Sequence, residues 1–144
     1  MVKKILIRAL APAVIVAIWF LSSQQTLPLP HSVVGVDKIA HFIAYASLAA
    51  CMVLWIPTNI GIYTDKGSQT DAERKTSATY HKALLLCFVL ASLYGVLDEF
   101  HQSFVPGRDS SFGDIIADTL GAAVGTGVMA KIREIFFRIK NAGN

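Results

Sequence analysis

Four stretches of mostly apolar residues with few charges divide the chain, and they cover residues 5–21, 36–56, 83–105 and 112–130. A helix that crosses the hydrocarbon core of a bilayer needs about 20 predominantly apolar residues. Each stretch is close to that length. The pattern therefore predicts an all-α fold, a polytopic integral membrane bundle of four transmembrane helices that forms a single domain over residues 1–144.

The segments between the stretches have the composition of connectors. Residues 27–30, Leu-Pro-Leu-Pro, cannot continue a helix because proline lacks the backbone N–H and restricts the residue before it. Residues 57–82 are rich in Gly, Ser, Thr and charge and are predicted to form a solvated loop, and residues 131–140 a basic tail. A cleaved signal peptide is the alternative for the first stretch, although no small-x-small cleavage site precedes its polar end.

Composition supports a membrane protein. Of the 144 residues 53% are hydrophobic and 16% charged, and the mean hydropathy is +0.51, which is too apolar for an ordinary soluble domain. Cys51 and Cys87 lie within apolar stretches, and no CxxC or Cys/His zinc spacing is present. The pI is about 9.0, but the basic residues flank the apolar stretches, so the lipid bilayer and not nucleic acid is the expected partner.

The basic residues also predict an orientation, because positively charged flanks resist translocation. With four spans, one side of the membrane holds all the basic residues except Lys38 and Arg108, namely Lys3, Lys4, Arg8, Lys66, Arg74, Lys75, Lys82, Lys131, Arg133, Arg138 and Lys140. That side is expected to be cytoplasmic. Both termini and the loop at residues 57–82 are therefore predicted to be cytoplasmic.

Polar residues follow helical spacing at the extracytoplasmic ends of three of the four stretches. The members at i, i+4 steps are Asp37, His41 and Tyr45; Tyr94, Asp98 and Gln102; and Asp114 and Asp118. An ionisable side chain at mid-bilayer costs about 2.5–3.5 kcal/mol on insertion scales and usually faces the bundle interior. The stripes are therefore expected to converge on an acidic, outward-opening pocket that also contains Glu99, with Lys38 and Arg108 as its basic members.

Each of these residues also has a purely structural interpretation. Asp37 and Lys38 suit a helix start, and His41 suits an interior histidine bonded to a neighbour. Arg108 follows Pro106 and Gly107 and suits a tight turn. Further structural alternatives are a fixed role for the adjacent carboxylates of Asp98 and Glu99, a Glu99–Arg108 pair, and pairing of Asp114 and Asp118 with Arg108 or Lys38.

The fourth stretch contains a GxxxG pattern at Gly121 and Gly125, followed by Gly127. Small residues at this spacing let apolar helices approach closely. Gly121 and Gly125 share a helix face with Asp114 and Asp118, which predicts that this face points into the bundle.

Four motifs in order resemble the VanZ-like family of membrane proteins. They are Leu21-Ser22-Ser23-Gln24, Asp37-Lys38-x-x-His41-Phe42-x-x-Tyr45, Asp98-Glu99-x-x-Gln102-x-x-x-Pro106-Gly107-Arg108, and Asp114-x-x-x-Asp118-Thr119-Leu120-Gly121-x-x-x-Gly125. The resemblance implies a small protein of the bacterial cytoplasmic (inner) membrane, and the best-known member is associated with low-level resistance to the glycopeptide teicoplanin. Asp118 departs from the family, in which this position is commonly asparagine.

The first functional hypothesis is a pocket that binds or acts on a cell-envelope component, such as a lipid-linked precursor or an amphiphile. A glycopeptide is the other partner considered. Asp98 or Glu99 would be the general acid or base and His41 a proton relay. The binding residues would be Asp37, Lys38, Tyr45, Gln102, Arg108, Asp114 and Asp118, with Lys38 and Arg108 on a phosphate or carboxylate.

No cofactor is assigned from the sequence. A divalent cation is an alternative, because hard cations take clustered carboxylates such as those of Asp98, Glu99, Asp114 and Asp118. Two alternatives come from other classes of protein. One is a proton-coupled small transporter, against which the cytoplasmic halves of the second and third stretches are almost purely apolar. The other is a structural or assembly protein, in which polar stripes only fix the helix register.

Overall fold

The structure is a computed structural model that describes residues 2–25, 35–57 and 70–142. Over these residues the chain forms four α-helices and no strand: α1 (Val2–Ser22), α2 (Val36–Val53), α3 (Asp71–Gln102) and α4 (Phe112–Ala142). All four are long and apolar enough to cross a membrane, which confirms the predicted all-α fold of four transmembrane helices. The connector predicted at residues 27–30 and residues 58–69 of the predicted loop lie outside the described residues.

Two helices extend beyond the apolar stretches that predicted them. α3 begins at Asp71 and not at residue 83, so the loop prediction is wrong for residues 71–82. A capping box starts this helix: the Thr70 hydroxyl accepts from the Glu73 N–H, and the Thr70 N–H donates to the Glu73 carboxylate at 2.7 Å. α4 likewise continues to Ala142 through the predicted basic tail. Hydropathy locates the part of a helix that crosses the membrane but not a polar extension of it.

The ends of neighbouring helices contact each other at both ends of the bundle. At one end of the bundle Ser23 Oγ lies 3.1 Å from His101 Nε2, and Lys38 Nζ lies 3.0 Å from Asp114 Oδ1. This end, called the polar end below, joins the ends of α1 and α3 to the starts of α2 and α4. At the opposite end Arg133 of α4 contacts the last turn of α2. The helices therefore alternate in direction, and α2 and α4 run parallel to each other.

α2 and α4 are in backbone contact through the GxxxG glycines. A Cβ atom added to Gly121 would collide with the carbonyl oxygen of Phe42, and one added to Gly125 with that of Ala46. A Cβ on Gly127 would meet nothing within 4 Å. The predicted role of Gly121 and Gly125 in close helix packing is confirmed, and it brings the polar residues of these two helices to hydrogen-bonding distance at the polar end.

The outer surface of the bundle carries many large apolar side chains, as expected for contact with lipid. They include Leu6, Phe20, Ile43, Leu90, Phe100, Leu120 and Val128. The apolar core is small and is built from residues such as Leu48, Ala49, Ala91 and Ala122. With so little apolar volume inside, polar pairs and close backbone packing must supply much of the specificity of this bundle.

Arg133 closes the opposite end of the bundle. Its Nη1 donates to the carbonyl oxygens of Val53 and Ile56, both at 2.8 Å, and its guanidinium lies 5.7 Å from the ring centre of Tyr80. The last carbonyl groups of a helix have no partner within the helix. Arg133 therefore caps α2 from another helix, a role that sequence analysis missed because Arg133 was assigned to a solvated tail.

Candidate functional site

The predicted polar stripes converge at the polar end. Five of the predicted site residues there are at least 96% buried: Asp98, Glu99, Gln102, Asp114 and Asp118. They come from α3 and α4 and face α2, which contributes Lys38, His41 and Tyr45. The side chains separate into three groups of contacts.

The first group, called the triad below, consists of His41, Glu99 and Asp118. His41 Nδ1 lies 3.0 Å from Asp118 Oδ1 and 3.7 Å from Glu99 Oε1. The His41 side chain is 11% exposed and the two carboxylates are almost fully buried. Gly95 makes room for this arrangement, because a Cβ there would lie 2.8 Å from the Asp118 side chain.

Backbone contacts hold Glu99 in place. Its Oε2 accepts a hydrogen bond of 2.9 Å from the Ser111 N–H, just before α4 begins. The Ser111 hydroxyl accepts in turn from the Gly113 N–H at 3.1 Å, so Ser111 is the N-cap of α4. Among the described residues no hydrogen bond or ion pair joins Glu99 to Arg108, so the pair considered as a structural alternative is not formed.

The second group borders a pocket. Gln102 donates to Asp98 Oδ2 at 3.0 Å and accepts from Arg108 Nη2 at 2.8 Å. The cavity has a volume of about 70 Å³, and its walls are formed by Ile18, Leu21, Ser22, Ala40, His41, Ala44, Tyr45, Asp98, Gln102 and Arg108. The lining residues from α1 and α2 are mainly apolar, whereas Asp98 and Gln102 of α3 and Arg108 of the following connector are polar.

The third group is an ion-pair chain near the surface. Lys38 Nζ lies 3.0 Å from Asp114 Oδ1 and 3.3 Å from Asp37 Oδ2. The Asp114 side chain is 6% exposed, whereas that of Asp37 is 55% exposed. Of the pairings considered from sequence, Lys38 with Asp114 is present, and Asp37 lies outside the buried cluster.

Sequence analysis missed the contribution of α1. Ile18, Leu21 and Ser22 form part of the pocket wall, and Trp19 stacks on His101 of α3 with ring centres 4.0 Å apart. The Tyr94 hydroxyl also donates to the Ile15 carbonyl, which ties α3 to α1. The only sequence signal for this role was the Ser22-Ser23 segment at the end of the first stretch. In an apolar helix the sequence does not show which side chains face a pocket and which face lipid.

The opposite half of the bundle is almost free of buried polar side chains over the residues that the structure describes. The exceptions are Tyr80 and Thr126, which are separated from the polar end by the apolar core. The Arg133 guanidinium is bonded to carbonyl groups at the far end. Over the described residues the buried ionisable side chains are therefore concentrated at the polar end.

These features define a class of protein: a small polytopic membrane protein with a buried polar cluster at one end of a four-helix bundle. The chain belongs to the VanZ/LLP1 family, whose sequence model matches residues 5–136. No curated protein and no solved structure matches the chain significantly. The match covers α2 and α3 completely, most of α1 and α4, and every predicted site residue.

Proposed function

We propose that the pocket at the polar end binds the head group of an anionic amphiphile of the cell envelope, such as a lipid-linked phosphate. The observation that carries the proposal is the mixed lining of the pocket. Ile18, Leu21 and Ala44 contribute apolar surface, while Gln102 and Arg108 contribute polar groups. An amphiphile at a membrane surface has this same division into an apolar chain and a charged group.

Arg108 is the residue best suited to hold the charged group. A guanidinium has five N–H donors in a planar fork that matches phosphate and carboxylate oxygens. In the described part of the chain the only side-chain hydrogen bond of Arg108 is with Gln102. Lys38 is already paired with two carboxylates. Of the two cations assigned to the ligand from sequence, Lys38 and Arg108, the main anchor is therefore Arg108.

The size of the cavity limits the occupant. A water molecule needs about 10–15 Å³ of such space, so about 70 Å³ admits a group of a few heavy atoms. A phosphate or a short chain segment fits this space, but a whole glycopeptide does not. Any link to teicoplanin resistance would therefore act through the envelope amphiphile and not through the drug in this pocket.

A catalytic version of the same proposal would pass protons through His41. This side chain both borders the pocket and contacts the carboxylate of Asp118. A general acid or base must lie within hydrogen-bond reach of the reacting group. Asp98 is the carboxylate that lines the pocket, whereas Glu99 lies behind His41, so Asp98 and His41 are the better candidates for direct contact with an occupant.

The proposal is tested by titrating the purified full-length protein in detergent with a polyprenyl phosphate. We expect Arg108→Gln to weaken binding about tenfold or more, since a hydrogen bond to a charged group contributes about 1.5–3 kcal/mol. Arg138→Gln, which changes an exposed arginine of α4, is the matched control and should bind as the unmodified protein does. The corresponding polyprenol, which lacks the phosphate, should bind weakly.

Equal affinity of the Arg108→Gln variant and the unmodified protein would contradict the proposal, as would equal binding of polyprenol and polyprenyl phosphate. If the protein has a structural or assembly role, Arg108→Gln should not change the affinity, and the protein should keep its normal abundance when each carboxylate is replaced by its amide.

We further propose that the polar end faces the outside of the cytoplasmic membrane, on the strength of the Lys and Arg distribution. Single cysteines at Thr70 and Ser110, both exposed and at opposite ends of α3, report on the two sides in a background without Cys51 and Cys87. In intact cells a membrane-impermeant maleimide should label position 110 and not position 70. Labelling of position 70 alone would reverse the orientation.

A further inference from the structure

The triad has the geometry of a metal site. We propose that His41, Glu99 and Asp118 bind a divalent transition-metal ion, with Zn²⁺ as the best fit. One ligand atom from each side chain lies within 4.8 Å of the others. Zinc binds such atoms at about 2.0–2.2 Å in a tetrahedral arrangement, which places neighbouring ligand atoms about 3.3–3.6 Å apart. The separations of 3.0 and 3.7 Å from His41 Nδ1 bracket that range.

Two buried carboxylate oxygens in the triad point to a ligand independently of this spacing. Glu99 Oε1 and Asp118 Oδ2 are inaccessible to solvent and have no hydrogen-bond partner among the described residues. The two residues are 2% and 0% exposed. An unpaired buried charge is strongly destabilising. An imidazolium at His41 would offset only one of the two negative charges, whereas a divalent ion would offset both.

The side chains around the triad favour it as the metal site over the set of four carboxylates considered from sequence, which are Asp98, Glu99, Asp114 and Asp118. Asp114 is bonded to Lys38. Asp98 uses Oδ2 on Gln102 and has no partner for Oδ1 among the described residues, but it lies outside the group of ligand atoms that are within 4.8 Å of one another. Glu99, by contrast, uses Oε2 on the Ser111 N–H and keeps Oε1 toward His41. Such outer hydrogen bonds orient metal ligands and commonly raise metal affinity 10–100-fold.

The donor atoms narrow the choice of ion. One imidazole nitrogen with two carboxylate oxygens suits Zn²⁺ or Mn²⁺, whereas Mg²⁺ and Ca²⁺ prefer sites made of oxygen alone. Three protein ligands leave one tetrahedral position of zinc open, as in catalytic zinc sites. Because His41 also borders the pocket, that position lies next to the space proposed for the head group.

The experiment uses the full-length protein in detergent with no lipid probe, so it is independent of the proposed amphiphile. After treatment with a chelator, Zn²⁺, Mn²⁺ and Mg²⁺ are titrated by calorimetry, and the melting temperature is recorded with each ion. We expect about one Zn²⁺ per chain, with a melting temperature that falls on chelation and recovers on adding zinc. Mg²⁺ should bind much more weakly.

Asp118→Asn and Glu99→Gln, which keep the side-chain shape, should each lower zinc affinity at least tenfold and remove the response of the melting temperature. Asp114→Asn is the matched control, since it changes a buried carboxylate of α4 that pairs with Lys38 outside the triad. It should retain zinc binding, as should Arg108→Gln, which tests the amphiphile separately.

The proposal is overturned if the unmodified protein binds none of the three ions and its melting temperature is indifferent to them. It is overturned as well if Asp118→Asn and Glu99→Gln bind zinc as tightly as the unmodified protein. If either variant fails to fold, the proposal is decided by whether the melting temperature of the unmodified protein falls on chelation and recovers on adding zinc. Replacement with Co²⁺ provides a further check, because tetrahedral cobalt gives an intense visible absorption that Asp114→Asn should preserve.

Discussion

Gly125→Ala is expected to destabilise the bundle by about 1–3 kcal/mol, as overpacking of a close-packed interface does. The added Cβ would overlap the carbonyl group of Ala46, and backbone cannot move aside as a flexible side chain can. Gly125→Leu should prevent accumulation of folded protein. Gly121→Ala should behave as Gly125→Ala does, because its Cβ would meet the backbone of Phe42. The melting temperature in detergent measures these effects.

Gly127→Ala is the control, and its effect should have the opposite sign. The position is open, and alanine favours a helix over glycine by up to about 1 kcal/mol, so the melting temperature should stay level or rise. A fall equal to that of Gly125→Ala would show that helix backbone flexibility, and not the contact between α2 and α4, is what the glycines provide.

Arg133→Ala should cost about 3 kcal/mol of unfolding free energy. The change removes two hydrogen bonds of 2.8 Å to the carbonyl groups of Val53 and Ile56, each of which contributes about 1.5–3 kcal/mol when the donor is charged. It also removes the cation beside the Tyr80 ring. Arg133→Lys should recover part of the loss, since an ammonium can reach one carbonyl but cannot stack on the ring as a planar group.

The matched control is Arg138→Ala, in the same helix. Arg138 pairs with Glu134 at 2.7 Å, but its side chain is 60% exposed, and water and salt screen exposed pairs so that they add little to stability. Unfolding by denaturant, followed by the intrinsic fluorescence of Trp19 and Trp55, compares the two variants. Equal losses for Arg133→Ala and Arg138→Ala would contradict the capping role of Arg133.

Sequence alone predicted the membrane-crossing helices because their signal, a mostly apolar composition over about 20 residues, is local. It placed the start of α3 too late because residues 71–82 are polar and helical at once, and only the pairing of Thr70 with Glu73 marked the true start. Over 32 residues α3 is about 48 Å long, longer than the hydrocarbon core of about 30 Å, so its polar turns extend beyond the core.

The residues of the polar end could be predicted, but not their partners. Helical spacing identified His41, Asp114 and Asp118 as inward-facing, since it depends only on positions within one helix. Which carboxylate meets His41 depends on how α2 and α4 are shifted along each other, and that shift is set by Gly121 and Gly125 against Phe42 and Ala46. The buried carboxylates could therefore be predicted from sequence, but which of them share a site with His41 could be determined only from the packed helices.

The pairing of α2 with α4 has a consequence for how the protein is made. The partners of Lys38 and His41, Asp114 and Asp118, follow 76 and 77 positions later in the chain. While a ribosome is still synthesising α3, α2 is complete, but the α4 partners of Lys38 and His41 and the α4 glycine that packs on the backbone at Ala46 do not yet exist. A chain that stops before α4 would leave this face of α2 uncovered in the membrane.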